Sequence, residues 1–162
     1  MDTEQALITA IWYRLRGDEE LQSLMGGEVK LRLMWAKKDD EFPYAVHRIE
    51  SSDLEPWVMR DGTYYLDLWD YHQTAERISA MRSRSVRILD KSYIGLLDPS
   101  STFMSVSQPA VGEPIPIIIA ARLNLTTSAM VPEETENIYH YALRFNMRHS
   151  RSIQEIEHLI GV

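Results

Sequence analysis

Four side chains able to bind a metal ion or to act as an acid/base pair lie close together in the stretch TYYLDLWDYHQTAERI (63–78). They are two aspartates, a histidine and a glutamate: Asp67, Asp70, His72 and Glu76. Imidazole and carboxylate groups are common zinc ligands, and carboxylates are ligands of magnesium. Their proximity along the chain raises the hypothesis of a metal-dependent hydrolase.

The predicted secondary structure separates these side chains. Residues 63–71 predict a strand, in which successive side chains point to opposite faces, so Asp67 and Asp70 lie on opposite faces. Asp67 then lies on the exposed face, whereas Asp70 ends the strand and belongs with His72 to the connection that follows. Glu76 falls in the first turn of the next helix, where the helix dipole favours an anion. We therefore expect neither a metal site nor a cofactor here.

The common catalytic motifs are absent from the sequence. It contains no Gly-rich phosphate loop, no G-x-S-x-G elbow and no H-E-x-x-H helix. The histidines are scattered. His47 and His140 each fall in a predicted strand and could be neighbours, but a histidine on a sheet surface is more often structural than a ligand. No local context identifies a nucleophile, so we predict that the protein is not an enzyme.

The composition is that of a globular protein with one hydrophobic core. The chain has 162 residues, of which 44% are hydrophobic and 25% are charged. The absence of cysteine excludes disulfides and thiolate zinc sites and fits a reducing cytoplasm. No apolar run is long enough to cross a bilayer, and the acidic N-terminus predicts no secretory signal. A formal net charge of -7 without a basic cluster argues against tight DNA binding.

Hydrophobic periodicity predicts two long helices. The first covers residues 4–16 and ends at Gly17, after which Asp18 caps a short helical turn. The second covers residues 74–90, with Thr74 as its N-cap.

Alternating patterns predict five strands, at 29–35, 42–51, 63–71, 101–107 and 137–149. The first is expected to bury one face through Val29, Leu31, Leu33 and Trp35. The order of elements predicts an α+β fold with two layers: a mainly antiparallel sheet of four to five strands and two helices packed on one face.

Residues 1–150 are predicted to form a single domain, followed by a C-terminal tail at 151–162. Five of the seven prolines lie between residues 99 and 132. Residues 109–136 therefore predict a Pro-rich excursion that is partly mobile. The last strand would span roughly 40 Å, about twice the usual length, so it can reach a neighbouring subunit.

Contact with another protein is indicated by the loop SDLEPWVMRDG (52–62). Leu54, Trp57 and Met59 are apolar side chains in an otherwise polar loop, and exposed aromatic residues commonly anchor interfaces. These three residues are the predicted protein-interface residues. In the alternative interpretation the loop folds back and buries Trp57, and the sequence does not decide between the two.

The order of the segments resembles the tail terminator proteins of long-tailed bacteriophages, also described as tail completion or head–tail joining proteins. The resemblance rests on five segments: IWYRLRGDEELQSLMGG, FPYAVHRI, YYLDLWD, TAERISAMRSRSVRILD and IYHYALRFNMR. Residues 109–136 depart from it, because this segment is longer than its counterpart in the family.

The resemblance implies a sheet with two helices on one face and assembly into a hexameric ring at the head-proximal end of the tail. Such rings stop polymerisation of the tail tube and present a surface to the head; they are not enzymes and need no cofactor. The implied partners are further copies of the chain, the tail tube protein and a head connector or stopper protein. DNA would pass through a negatively charged ring without specific binding, and no membrane is involved. The implied location is the virion tail, after assembly in the host cytoplasm.

Two other functions stay open at this point. One is a neighbouring part of the same machine, either a connector-side stopper or a minor tail protein. The other is the metal-dependent hydrolase built on the four residues of the 63–78 stretch.

Overall fold

The computed structural model describes residues 3–51, 59–94 and 121–150. Within these ranges the chain forms three helices, α1 (Thr3–Arg16), α2 (Glu19–Leu24) and α3 (Glu76–Leu89). The strands are β1 (Leu31–Leu33), β2 (Tyr44–Ser51), β3 (Met59–Tyr71), β4 (Tyr93–Ile94), β5 (Ala121–Val131) and β6 (Ile138–Ser150). No described helix is both long enough and apolar enough to cross a membrane.

All six strands belong to one sheet in the order β1-β2-β3-β6-β5-β4. Neighbouring strands are antiparallel except for β1 and β2, which are parallel. The 13-residue strands β3 and β6 pair along their whole length at the centre of the sheet. The predicted α+β class with a mainly antiparallel sheet is confirmed. The sequence analysis did not anticipate β4, which has only two residues.

The hydrophobic core lies between the helices and one face of this sheet. Alternate residues of β3 and β6 point toward the helices, and several of them are fully buried, among them Tyr64, Leu66, Phe145 and Met147. They pack against the apolar sides of the helices, formed by Leu7, Ile11 and Leu15 of α1 and by Ile78, Met81 and Leu89 of α3. The apolar residues that alternate with polar ones in the sequence of β6 thus form its buried face.

Helix capping agrees with the prediction for α2 and differs for α3. Asp18 caps α2 by accepting a hydrogen bond from the backbone N–H of Leu21 at 2.9 Å. Its carboxylate also accepts hydrogen bonds from Arg84 of α3, which hold the pKa of Asp18 below its usual value. Thr74 is not the cap of α3: the N-cap position is Ala75, whose side chain cannot accept a hydrogen bond.

The predicted buried face of the first strand is wrong in its second half. Val29 and Leu31 are buried, but Leu33 is 57% exposed and Trp35 is 78% exposed. The strand ends at Leu33, and the next residue, Met34, has a left-handed φ of 66°. Alternation therefore stops there, and the following side chains turn toward solvent.

The predicted excursion at 109–136 is wrong for residues 121–131, which form β5 and pair with β6. The physical reason is a short alternation in which Ala121, Leu123 and Leu125 face the core. The nearby prolines obscured this alternation in the sequence. None of them lies within the strand, and Pro132 follows its last residue. Residues 109–120 and the predicted strand at 101–107 lie outside the described residues.

Candidate interaction surface on the open sheet face

The helices cover one face of the sheet, and we call the other its open face. Alternation places odd-numbered residues of β3 and even-numbered residues of β6 on it, including Asp67, Trp69, His140 and Arg144. The register of the antiparallel pair sets Trp69 opposite His140. Polar and aromatic side chains of β3 and β6, and of the neighbouring strand β2, therefore meet on a surface that carries no described helix.

Asp67 is the centre of an ion-pair network on the open face. Its Oδ1 atom lies 3.0 Å from Nε2 of His140 and 3.1 Å from Nη2 of Arg144. Burial alone would raise the pKa of Asp67, but the hydrogen bonds from His140 and Arg144 outweigh it and lower that pKa. The other ring nitrogen of His140, Nδ1, lies 3.1 Å from Oε1 of Glu133 in the β5–β6 turn.

A group of aromatic rings, here called the aromatic patch, extends from this network to the end of the sheet where β2 begins and β3 ends. It consists of Phe42, Tyr44, Trp69 and Tyr71. The Trp69 ring stacks on Tyr44 at 6.2 Å between centroids, and Phe42 lies 5.2 Å from Tyr44 and 6.2 Å from Tyr71. Tyr71 is 55% exposed. Burial, and then the nearby carboxylates of Asp40 and Glu133, raise the pKa of Tyr44.

A second aromatic group on the open face is centred on Tyr65. Its ring is contacted by two guanidinium groups, Arg48 at 4.2 Å and Arg144 at 4.6 Å from the ring centroid. Its hydroxyl donates a hydrogen bond to Glu50 at 2.8 Å, and this bond raises the pKa of Tyr65. Glu50 also pairs with Arg48 at 3.0 Å. The charges of this group are thus balanced within the chain.

The two aspartates of the 63–78 stretch lie on opposite faces, as predicted. Asp70 was expected in the connection, however, and it lies within β3, fully buried on the helix side. It accepts a hydrogen bond from Nε of Arg77 at 2.9 Å, so its role is to join β3 to α3. His72 is exposed after the strand, and Glu76 is the first residue of α3. Among the described residues, no group of three or more His, Asp or Glu side chains is arranged so that it could hold a metal ion.

The suggestion that His47 and His140 are neighbours is wrong. β3 lies between their strands, and the two side chains are on opposite faces. His47 is buried on the helix side, where its Nδ1 atom lies 3.1 Å from the hydroxyl of Tyr64. Burial lowers the pKa of His47 to about 4, so it is a neutral residue of the core.

Two of the predicted interface residues, Leu54 and Trp57, lie outside the described residues. Met59 is the first residue of β3 and pairs with Ser150 in the sheet, but its side chain is not described. The proposed contact through these three residues stays a prediction. Sequence reasoning missed the aromatic patch. The alternation Trp69-Tyr71 was a signal for it, but the approach of Phe42 and Tyr44 depends on the register between β2 and β3.

Comparison with solved structures gives a match of fold. The structure is similar to a chain in a particle described as the virion of a native gene transfer agent (GTA). The TM-score is 0.63 at 12% sequence identity, and the match covers 90% of this chain and 96% of that chain. At this identity the likeness shows a shared fold alone. No protein-family model matches the sequence, and no protein with a curated description matches it.

Proposed function

We propose that the protein is a structural component of a phage-like virion and acts as a tail terminator. In this role it forms a ring at the head-proximal end of the tail, ends polymerisation of the tail tube and provides the surface to which the head attaches. The ring is a homo-oligomer of six copies, as the resemblance to the tail terminator family implies. The virion tail is its location, and the host cytoplasm is where it assembles.

The observation that carries this proposal is the shared fold with a chain of a GTA virion over 90% of the present chain. The order of sequence segments supports the same class independently, since it resembles the tail terminator family. The open face supports it further, because a sheet face carrying paired charges and exposed aromatic rings suits contact with other protein. A hydrolase is disfavoured because Asp67 and Asp70 point to opposite faces and each is already paired with arginine.

The proposed partners are further copies of the chain, the tail tube protein and a connector or stopper on the head side. In the proposed ring, DNA passes through and is not bound. A chain with a net charge of -7 repels phosphates, so a ring of such chains does not bind the DNA that passes through it. Leu54, Trp57 and Met59 are kept as candidate contact residues. Residues 1–150 are proposed as one domain and 151–162 as its tail.

Mixing the purified chain with the tail tube protein of the same virion tests the proposal. Electron microscopy should show a ring at one end of each tube, and the capped tubes should stop growing when more tube protein is added. Tubes that continue to grow with bare ends would contradict the proposal. A ring found on the head connector and never on tubes would favour the stopper instead.

A further inference from the structure

Arginine side chains lie over aromatic rings at more than one place in this protein. Arg16 lies over the Trp12 ring at 4.4 Å and pairs with Glu28, and Arg48 and Arg144 both lie over Tyr65. A cation over an aromatic face is attracted by the ring quadrupole, and a carboxylate beside the ring adds to this attraction. The structure thus brings three types of group together around Trp12 and around Tyr65: an aromatic ring, a carboxylate and a guanidinium.

The aromatic patch has aromatic rings and nearby carboxylates, but no guanidinium of the described residues lies over its exposed rings. His140 stacks on Trp69 at 3.8 Å, but no arginine or lysine among the described residues lies over Phe42, Tyr44 or Tyr71. Phe42 and Tyr71 are the most exposed rings of the patch, at 36% and 55%. Both rings are therefore partly accessible to a group from outside the chain.

The acidic β5–β6 turn lies at the same end of the sheet as the patch. The β5–β6 turn, residues 132–137, is joined to the same end of the sheet by a hydrogen bond from the backbone N–H of His72 to the carbonyl of Asn137, 3.0 Å long. Glu133 of this turn pairs with His140, whereas Glu134 and Glu136 are exposed and form no ion pair within the described residues. The turn thus places uncompensated negative charge beside exposed rings.

We infer that the aromatic patch and the acidic β5–β6 turn form a docking surface for a segment of another polypeptide that carries arginine or lysine side chains. The cations lie over Phe42, Tyr44 and Tyr71 and pair with Glu134 and Glu136. This surface rests on the proposed function and deepens it, since it assigns a charge and a composition to one partner of the tail component. Nucleic acid does not fit the surface, because its phosphates would meet the carboxylates of the turn.

A labelled peptide of alternating arginine and glycine is the probe, and fluorescence anisotropy with the full chain is the readout. A second peptide with citrulline in place of arginine keeps the planar shape but replaces the charged guanidinium with a neutral urea group, which donates fewer N–H bonds. We expect the arginine peptide to bind about tenfold more tightly than the citrulline peptide, and added salt to reduce the difference. Equal binding of the two peptides, or binding of neither, would overturn the inference.

Variants locate the binding site. Tyr71→Ser should weaken binding of the arginine peptide about threefold, whereas the matched change Tyr13→Ser, at an exposed tyrosine of α1, should leave it unchanged. Glu134→Gln combined with Glu136→Gln should weaken it by a similar factor. Glu19→Gln combined with Glu20→Gln removes the same charge from α2 and is the control. All four of these glutamates are exposed. Equal losses from the test and control variants would reveal non-specific attraction to a negative protein and would refute the site.

The result is independent of tube capping. If the chain caps tubes and does not bind the arginine peptide, the docking surface is wrong and the proposed function stands. If it binds the peptide at the patch and never caps tubes, the surface is supported and the tail terminator role is refuted.

Discussion

Trp69 and His140 face each other across strands β3 and β6, with ring centroids 3.8 Å apart and planes inclined by 13°. The same imidazole lies within hydrogen-bond distance of Asp67 on one side and of Glu133 on the other. One side chain therefore connects the aromatic patch, the ion-pair network and the β5–β6 turn. The organisation of the open face depends on this contact.

The first prediction concerns the coupling between these two residues. Stacked rings of this kind contribute about 1 kcal/mol beyond area burial. Urea unfolding of Trp69→Ala, His140→Ala and the double variant should give a coupling free energy of about 1 kcal/mol. Tyr13, an exposed tyrosine of α1, has no described contact with His140, and these two residues serve as the control pair. Additive effects of the Trp69 and His140 changes would show that the stack does not stabilise the fold.

The pH dependence of stability should reflect His47. Burial lowers its pKa to about 4 in the folded state, whereas the unfolded chain has an ordinary value of 6.5. The unfolded state binds more protons between these values, so stability is lost as pH falls from 7 to 5. The loss attributable to His47 is about 2 kcal/mol in the free energy of unfolding.

Urea unfolding of His47→Gln at the two pH values checks this attribution. The variant should lack most of the loss between pH 7 and pH 5, whatever its stability at pH 7. His72→Gln, at an exposed histidine, should keep the full dependence. If His47→Gln retains the dependence of the unmodified chain, another group is responsible.

Asp70 is predicted to be structural. Asp70→Asn removes the charge from a fully buried carboxylate that accepts hydrogen bonds from Arg77, and leaves the partly buried guanidinium without its counter-charge. We expect a loss of about 2 kcal/mol in the free energy of unfolding. Asp61→Asn, at a half-exposed residue 3.9 Å from Arg148, should cost less than about 0.5 kcal/mol. Similar costs at the two sites would show that the Asp70–Arg77 pair does not join β3 to α3.

The sequence predicted those parts of the fold that depend on local pattern. The alternation of NIYHYALRFNMRH identified β6 and its two faces, and the position of Asp18 after Gly17 identified a helix cap. Alternation likewise separated Asp67 from Asp70, which weakened the metal-site hypothesis. Each of these features is decided within a few residues of the chain.

Features that depend on pairing between distant segments were not predictable in this way. The network of Asp67 requires His140 and Arg144, which are more than seventy positions away in the sequence, to enter the sheet in one particular register. β5 was missed because its short alternation stands beside prolines. Leu33 and Trp35 were misassigned because β1 ends at Leu33, two residues before the end of the alternating pattern. In each case the structure depends on how distant segments pair, which a local pattern does not reveal.

We propose that this protein terminates a phage-like tail, and particles made without it are a direct test of this role. Electron microscopy should show headless tails of variable and excessive length, because tube polymerisation then has no stop. Restoring the chain should return tails to a uniform length joined to heads. Tails of normal length beside heads that have lost their DNA would contradict the claim and would identify a head-side stopper instead.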